Sequence, residues 1–190
     1  ANIKRIMAYS SIAHLGYVLV AFLSGSPQAI ESASFYIVSY SIATLSVFGL
    51  LAALSNVDGE PETLALFKGL FWRNRSAAVF LSLAIFSLIG IPLTSGFWAK
   101  FFIFITGIQS GLWVMVILLA LNSSIGLYYY LRILFELYSP ADELSELSST
   151  TSSLNRSSFV ILAALSLLNL TIGIYPAPLL ELVKMLVPTL

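Results

Sequence analysis

Lys100 and His14 are the two side chains whose type and surroundings suit proton transfer inside apolar sequence. Lys100 stands in "GIPLTSGFWAKFFIFITGI" (90–108), about seven residues from the end of a hydrophobic run. At ~1.5 Å per helical residue it lies about 10 Å inside that run. A lysine near the middle of a membrane helix costs about 2.5–3.5 kcal/mol on insertion scales, and such residues usually face a bundle interior or a wet cavity. A long side chain can instead snorkel to an interface. His14 stands in "AYSSIAHLGYVLV" (8–20), with Ser10 four residues before it on the same helix face and Ser11 beside that. Imidazole titrates close to neutral pH and can take a proton on one nitrogen while releasing one from the other. A lone histidine is as readily a hydrogen-bonded packing residue.

Other hydroxyls recur in the same apolar context. Tyr40 and Thr44 fall in one run, Ser123 and Tyr128 in another. With Ser10 and Ser11 they would line a hydrated path for protons and water. The competing role is to hold membrane helices together by hydrogen bonds.

The elements that must position these groups are membrane helices. The chain has 190 residues, 58% of them hydrophobic and only 9% charged, with a mean hydropathy of +0.94. Water-facing domains carry about 25% charged residues, so the partner of this surface is a lipid bilayer. Formal net charge is zero, which leaves no basic face for nucleic acid. Cysteine is absent, so the chain forms no disulfide and ligates no iron–sulfur cluster. With a single histidine and no glycine-rich phosphate cradle, neither a metal site nor a nucleotide site is expected. The start, "ANIKRIMAYSS", lacks the order of a signal peptide, and its first residue is Ala1; a fragment or processed product is expected.

A spanning helix needs about 20 mostly apolar residues. Five segments qualify: 6–24, 35–54, 77–107, 112–138 and 159–180, forming a single membrane domain over 1–190. A Ser/Thr-rich acidic stretch after 138 reads as a flexible surface loop. Five crossings put the termini on opposite sides. Seven of the nine basic residues, Lys4, Arg5, Lys68, Arg73, Arg75, Arg132 and Arg156, fall on the side of the N-terminus; Lys184 falls on the other. The positive-inside rule then predicts a cytoplasmic N-terminus and a C-terminus on the opposite, periplasmic side. Arg132 and Glu136, four apart near the cytoplasmic end, are expected to form an ion pair.

Segment 77–107 is longer than one straight crossing needs. Pro92 has no N–H, and its ring clashes with the carbonyl four residues back, so a helix kinks or breaks there. Gly90 and Gly96 lower the cost of non-helical backbone on either side. A break at mid-membrane depth is tolerated only against protein or water, and discontinuous helices of this kind recur in transporters. Pro92 alone would be satisfied by a simple kink. Lys100, close behind it, favours the functional break.

Three stretches resemble one family. "NIKRIMAYSSIAHLGY" (2–17), "FKGLFWR" with "FSLIGIPLTSGFWAKFFIF" (67–73 and 86–104) and "SSIGLYYYLRI" (123–133) are similar, in order, to the antiporter-like membrane subunits of respiratory complex I, most closely its subunit N branch. The resemblance implies an all-helical membrane fold, half of an inverted-repeat arrangement. The matching part is the last five of about fourteen helices, ten to fourteen, the third of them broken. It implies that Lys100 is the family's proton-carrying lysine of helix twelve and that His14 occupies a position linked to the central relay. The family's glutamate–lysine pair and central lysine would precede "NIKR" and are missing here.

The resemblance further implies a proton-translocating subunit of an NADH–quinone oxidoreductase in the bacterial inner membrane, with no redox chemistry of its own. NADH, FMN, iron–sulfur clusters and quinone are then expected on other membrane and peripheral subunits. Two rival readings remain: a subunit of a multi-subunit sodium/proton antiporter or membrane-bound hydrogenase, and a structural membrane subunit without its own proton path.

Overall fold

The computed structural model describes residues 2–26, 28–55, 64–140 and 154–186. The polar loop expected after 138 therefore falls largely outside the described residues. Every described element is helical: α1 (Ile3–Ser24), α2 (Gln28–Ala53), a 3-10 turn (Leu64–Phe67), α3 (Leu70–Arg73), α4 (Arg75–Ile89), α5 (Ser95–Gln109), α6 (Trp113–Tyr138), α7 (Arg156–Ile174) and α8 (Ala177–Leu186). Four of these, α1, α2, α6 and α7, are long and apolar enough to cross a membrane.

Local chemistry explains the helix ends. Asn2 caps α1, its side-chain oxygen accepting from Arg5 N–H at 3.1 Å. Gly25, at φ +58°, closes the other end in the left-handed conformation. Asn74 caps α4 by accepting from Ala77 N–H at 3.1 Å. Helix α2 begins at Gln28, ahead of the apolar run at 35. Ala29 and Ala33 pack in the interior there, Ser32 meets Thr106 of α5 at 2.8 Å, and Glu31 suits the positive N-terminal dipole. The last apolar run, expected to reach 180, is helical only to Ile174. Pro176 cannot donate to the preceding turn, and the chain restarts as the short α8.

Helix α2 is the centre of the bundle, lying against α1, α4, α5, α7 and α8. Two hydrophobic clusters fill the interior. One joins Ile3 and Met7 of α1 to Leu64, Phe67 and Leu70, the start of α4, and Ile133 and Leu137 of α6. The other joins Tyr17 and Ala21 to Phe35, Ile103 and Ile172, with Leu179 and Leu180 of α8 packed on it. The 64–73 segment is tied to the C-terminal end of α6: Gly69 N–H donates to Glu136 O at 3.1 Å, and the Phe71 and Tyr138 rings lie 4.9 Å apart. Lys4, Arg5, Lys68, Arg73, Arg75 and Arg132 thus gather at the end of the bundle held by the first cluster.

Arg132 and Glu136 are not ion-paired, contrary to the expectation from their spacing. An exposed pair four apart gains only about 0.3–0.5 kcal/mol, and the arginine-first order is the poorer one for the helix dipole. Outer faces are apolar, as at Ile12, Leu15 and Leu19 of α1 and Val114, Ile117 and Leu121 of α6, which suits contact with lipid or with another apolar protein surface.

Candidate functional site

The site is built around the gap between α4 and α5. Helix α4 ends at Gly90, φ +88°, whose N–H donates to Phe86 O and Ser87 O, both at 3.0 Å; Ile91 N–H also turns back to Phe86 O at 3.0 Å. The chain crosses the gap through Pro92, which is exposed, and Leu93, held at φ +76°. Thr94 closes a turn by donating from Oγ1 to Ile91 O at 2.7 Å.

A neighbouring helix starts α5. Asn169 of α7, itself buried, accepts at Oδ1 from Ser95 N–H at 3.1 Å and from Ser95 Oγ at 3.2 Å. Gly96 N–H donates to Ser87 Oγ at 3.2 Å, and Trp98 Nε1 donates to Gly173 O at 2.8 Å. Two glycines permit this approach. A Cβ on Gly96 would fall 1.8 Å from Ser87 O, and one on Gly173 would fall 2.2 Å from Leu93 O. The backbone groups freed by the break are thus met by protein, as an apolar surrounding demands.

Lys100 reaches back across the gap. Its Nζ donates to Ile89 O at 2.7 Å and to Ser123 Oγ of α6 at 3.2 Å, and stands 5.4 Å from the centroid of the Tyr17 ring. Ile89 O lies at the C-terminal end of α4, where the helix dipole is negative and a cation is favoured. The lysine stem passes Gly90, where a Cβ would approach Cδ to 3.0 Å.

His14 is 5% exposed. Its Nδ1 is hydrogen-bonded to Tyr36 OH at 2.6 Å and its Nε2 to Tyr130 OH at 3.2 Å. The ring stacks on Tyr40, 4.7 Å between centroids. Tyr130 OH also bonds Ser10 Oγ. Tyr40 OH donates to Ser11 Oγ at 2.7 Å, and Ser11 donates to Met7 O at 2.9 Å. A neutral imidazole is donor on one side and acceptor on the other, so the two tyrosines bracket His14 in a hydroxyl chain.

Lys100 and His14 line one small cavity of about 10 Å³, together with Tyr36, Ser39, Tyr40, Ser87 and Gly96. The residues read from the sequence divide accordingly. Lys100, His14, Tyr40 and Gly96 line the cavity; Ser123 and Gly90 meet the Lys100 side chain, and Ser10 and Ser11 join the hydroxyl chain around His14. Thr44 Oγ1 is buried with no hydrogen bond among the described residues. Tyr128 is 74% exposed on the outer face of α6, away from the cavity. Tyr36, Ser87 and Asn169 were not picked out by sequence. Four-residue spacing with Tyr40 was a signal for Tyr36, and a lone amide in an apolar helix was one for Asn169.

Fold and site together define an all-helical, multi-pass membrane protein with an antiporter-like arrangement. Residues 1–126 match the family described as NADH:quinone oxidoreductase/Mrp antiporter, TM. The chain belongs to this family. It is 38% identical over 184 residues to NADH-quinone oxidoreductase subunit N of Methylococcus capsulatus, covering 95% of this chain and 36% of that protein. It is 37% identical over 188 residues to the subunit N of Chromohalobacter salexigens, covering 98% and 40%. Among solved structures it is similar to a chain of respiratory complex I from Thermus thermophilus with bound aureothin, at 26% identity and a TM-score of 0.82, over 95% of this chain and 40% of that one. A chain of the Mrp complex from Dietzia sp. shares the fold at 19% identity and a TM-score of 0.79, over 95% and 41%. The chain spans about two fifths of the length of these relatives.

Proposed function

We propose that this chain is the proton-carrying C-terminal part of a membrane subunit of an NADH–quinone oxidoreductase, and that Lys100 and His14 are its relay. The observation that carries this reading is the shared buried cavity beside the break. Helices α4 and α5 would together make one crossing broken at mid-membrane, the third of five. The subunit would carry no redox group: NADH, FMN, iron–sulfur clusters and quinone would reside on its partner subunits. Energy released by quinone reduction would then change charge and hydration along the polar axis.

The test replaces Lys100 in the complete subunit and follows proton uptake by vesicles holding the assembled complex, with quinone-reductase turnover as the check on assembly. Lys100→Met keeps the stem and removes the titrating group, and proton uptake is expected to fall severalfold. Lys100→Arg keeps a cation whose pKa, above about 12, prevents proton release in a protein, so it is expected to be nearly as poor. Full uptake by the arginine variant would reduce Lys100 to an electrostatic or structural cation.

The family description also names Mrp antiporters, which supports a sodium/proton antiporter subunit as the second reading. Sodium-dependent proton uptake without quinone turnover would favour it.

The basic residues gathered at one end of the bundle support an N-terminus in the bacterial cytoplasm and a periplasmic C-terminus. These 190 residues contain no cysteine, so single substitutions Pro140→Cys and Met185→Cys can be labelled and compared with the unsubstituted parent. Position 140 should react only from the cytoplasmic side and position 185 only from the periplasmic side; the reverse pattern would invert the topology.

A further inference from the structure

Three groups around the cavity have hydrogen-bonding capacity that the chain leaves open or turns toward the same space. Lys100 donates two bonds, to Ile89 O and Ser123 Oγ, while an ammonium carries three donors. Ser39 is 1% exposed, and its Oγ makes no hydrogen bond among the described residues. Elsewhere on α2 a buried serine has the ordinary outlet, as Ser46 donates to Ile42 O at 2.8 Å. Tyr36, whose OH is bonded to His14 Nδ1, lines the cavity too.

Buried polar groups are satisfied by protein or by ordered water. A cavity of about 10 Å³ is close to the least that holds one water, which needs two to four polar partners. A metal cation is a poor occupant, because the ammonium of Lys100 faces the same space. Both nitrogens of His14 are taken by tyrosine hydroxyls, so a proton from Lys100 reaches the ring only through an intermediary.

From these observations we infer that Ser39 anchors one water molecule in this cavity, joining Lys100 to Tyr36 and through Tyr36 to His14. The inference rests on the relay proposed above and names its missing link. In the transfer, Lys100 Nζ–H gives its proton to the water oxygen. The water passes one of its protons to the Tyr36 oxygen as Tyr36 gives its hydroxyl proton to His14 Nδ1. Lys100 ends as a neutral amine and His14 as an imidazolium, while the water and Tyr36 are restored. Before the transfer, Nε2 of His14 carries the proton and donates to Tyr130 OH.

Ser39→Ala in the complete subunit of the assembled oxidoreductase, reconstituted in vesicles, tests the site. Proton uptake should fall roughly fivefold, the loss expected for one ordered hydrogen bond. Ser39→Thr, which keeps the hydroxyl, should retain most of it, and Ser46→Ala should change nothing. An infrared O–H stretch of a bound water should disappear in Ser39→Ala and persist in Ser46→Ala. Because both groups serve one path, adding Ser39→Ala to His14→Ala should lower uptake no further. Full uptake in Ser39→Ala, a retained water band, or an effect that multiplies onto His14→Ala would each overturn the water site. Full uptake in Lys100→Met would instead overturn the relay itself, so the two failures are distinguishable.

Discussion

Helix α6 carries Asn122, Ser123, Ser124 and three consecutive tyrosines through apolar sequence as one unbroken helix. The stretch 75–109 also carries polar groups through apolar sequence, yet its backbone opens between Ile89 and Ser95. Side-chain polarity therefore does not break a membrane helix. On α6 the hydroxyls are absorbed singly: Ser124 donates to its own backbone at Ala120 O, 3.0 Å away, and Ser123 accepts from Lys100. At the break, by contrast, backbone groups are released and other helices take them over. Asn169 receives the first N–H of α5, and Lys100 covers a last carbonyl of α4. The break is thus a joint product of α4, α5 and α7.

The sharpest way to test that contrast is to add one methyl group in each region. Gly173→Ala would force a Cβ to within 2.2 Å of Leu93 O, and Gly96→Ala would force one to within 1.8 Å of Ser87 O. Backbone oxygens cannot step aside as a flexible side chain does, so either change should destabilise by about 3 kcal/mol or more. The expected result is a large drop in assembled complex and in its thermal inactivation temperature. Gly126→Ala on α6 meets nothing nearer than Tyr129 OH at 3.4 Å and removes a helix-weakening glycine, so it should be neutral or mildly stabilising. Equal tolerance at all three positions would dissolve the distinction between the two regions.

A smaller effect separates the amide from the hydroxyl. Asn169→Leu leaves Ser95 N–H and Oγ without their acceptor inside the bundle, at a cost of about 1–3 kcal/mol. Ser124→Ala on α6 removes a hydroxyl bonded only to its own helix and should stay within about 0.5 kcal/mol of the parent. Thermal inactivation of the assembled complex measures both. A loss as small for Asn169→Leu as for Ser124→Ala would remove α7 from the maintenance of the break.

How much of this is legible in the sequence follows from where each kind of information resides. The membrane class and the apolar runs are local properties of composition and length. The backbone opening between Ile89 and Ser95 falls beside Gly90, Pro92 and Gly96, where backbone permission and prohibition are carried by single residues. Asn169 was not legible as the partner of Ser95, since their contact joins positions 74 residues apart and nothing in either local sequence names the other. Facing was equally hidden. Tyr128 and Tyr130 sit in one run, but Tyr130 turns to His14 while Tyr128 points outward. A helix that is apolar on every side has no polar face to say which way it turns.

The smallest expected effect concerns Leu93, where the break departs furthest from ordinary backbone. Its φ of +76° is a region that costs an L-residue about 1–2 kcal/mol, and a bulky side chain there is unusual. The leucine side chain is 66% exposed, so shortening it removes little packing from the bundle. Leu93→Gly relieves the backbone penalty but enlarges the freedom of the unfolded chain, which takes back about 0.5–1 kcal/mol. The balance is a stabilisation of about 0–1.5 kcal/mol, with proton uptake unchanged because Lys100 and Asn169 keep their partners. Leu93→Ile, β-branched and less tolerant of positive φ, should move the inactivation temperature the other way. Opposite signs for glycine and isoleucine would mark the break as a fixed left-handed turn. Should both lower stability equally, the outward leucine side chain itself would be what matters, making this turn, like the outer face of α6, a surface for lipid or a neighbouring subunit.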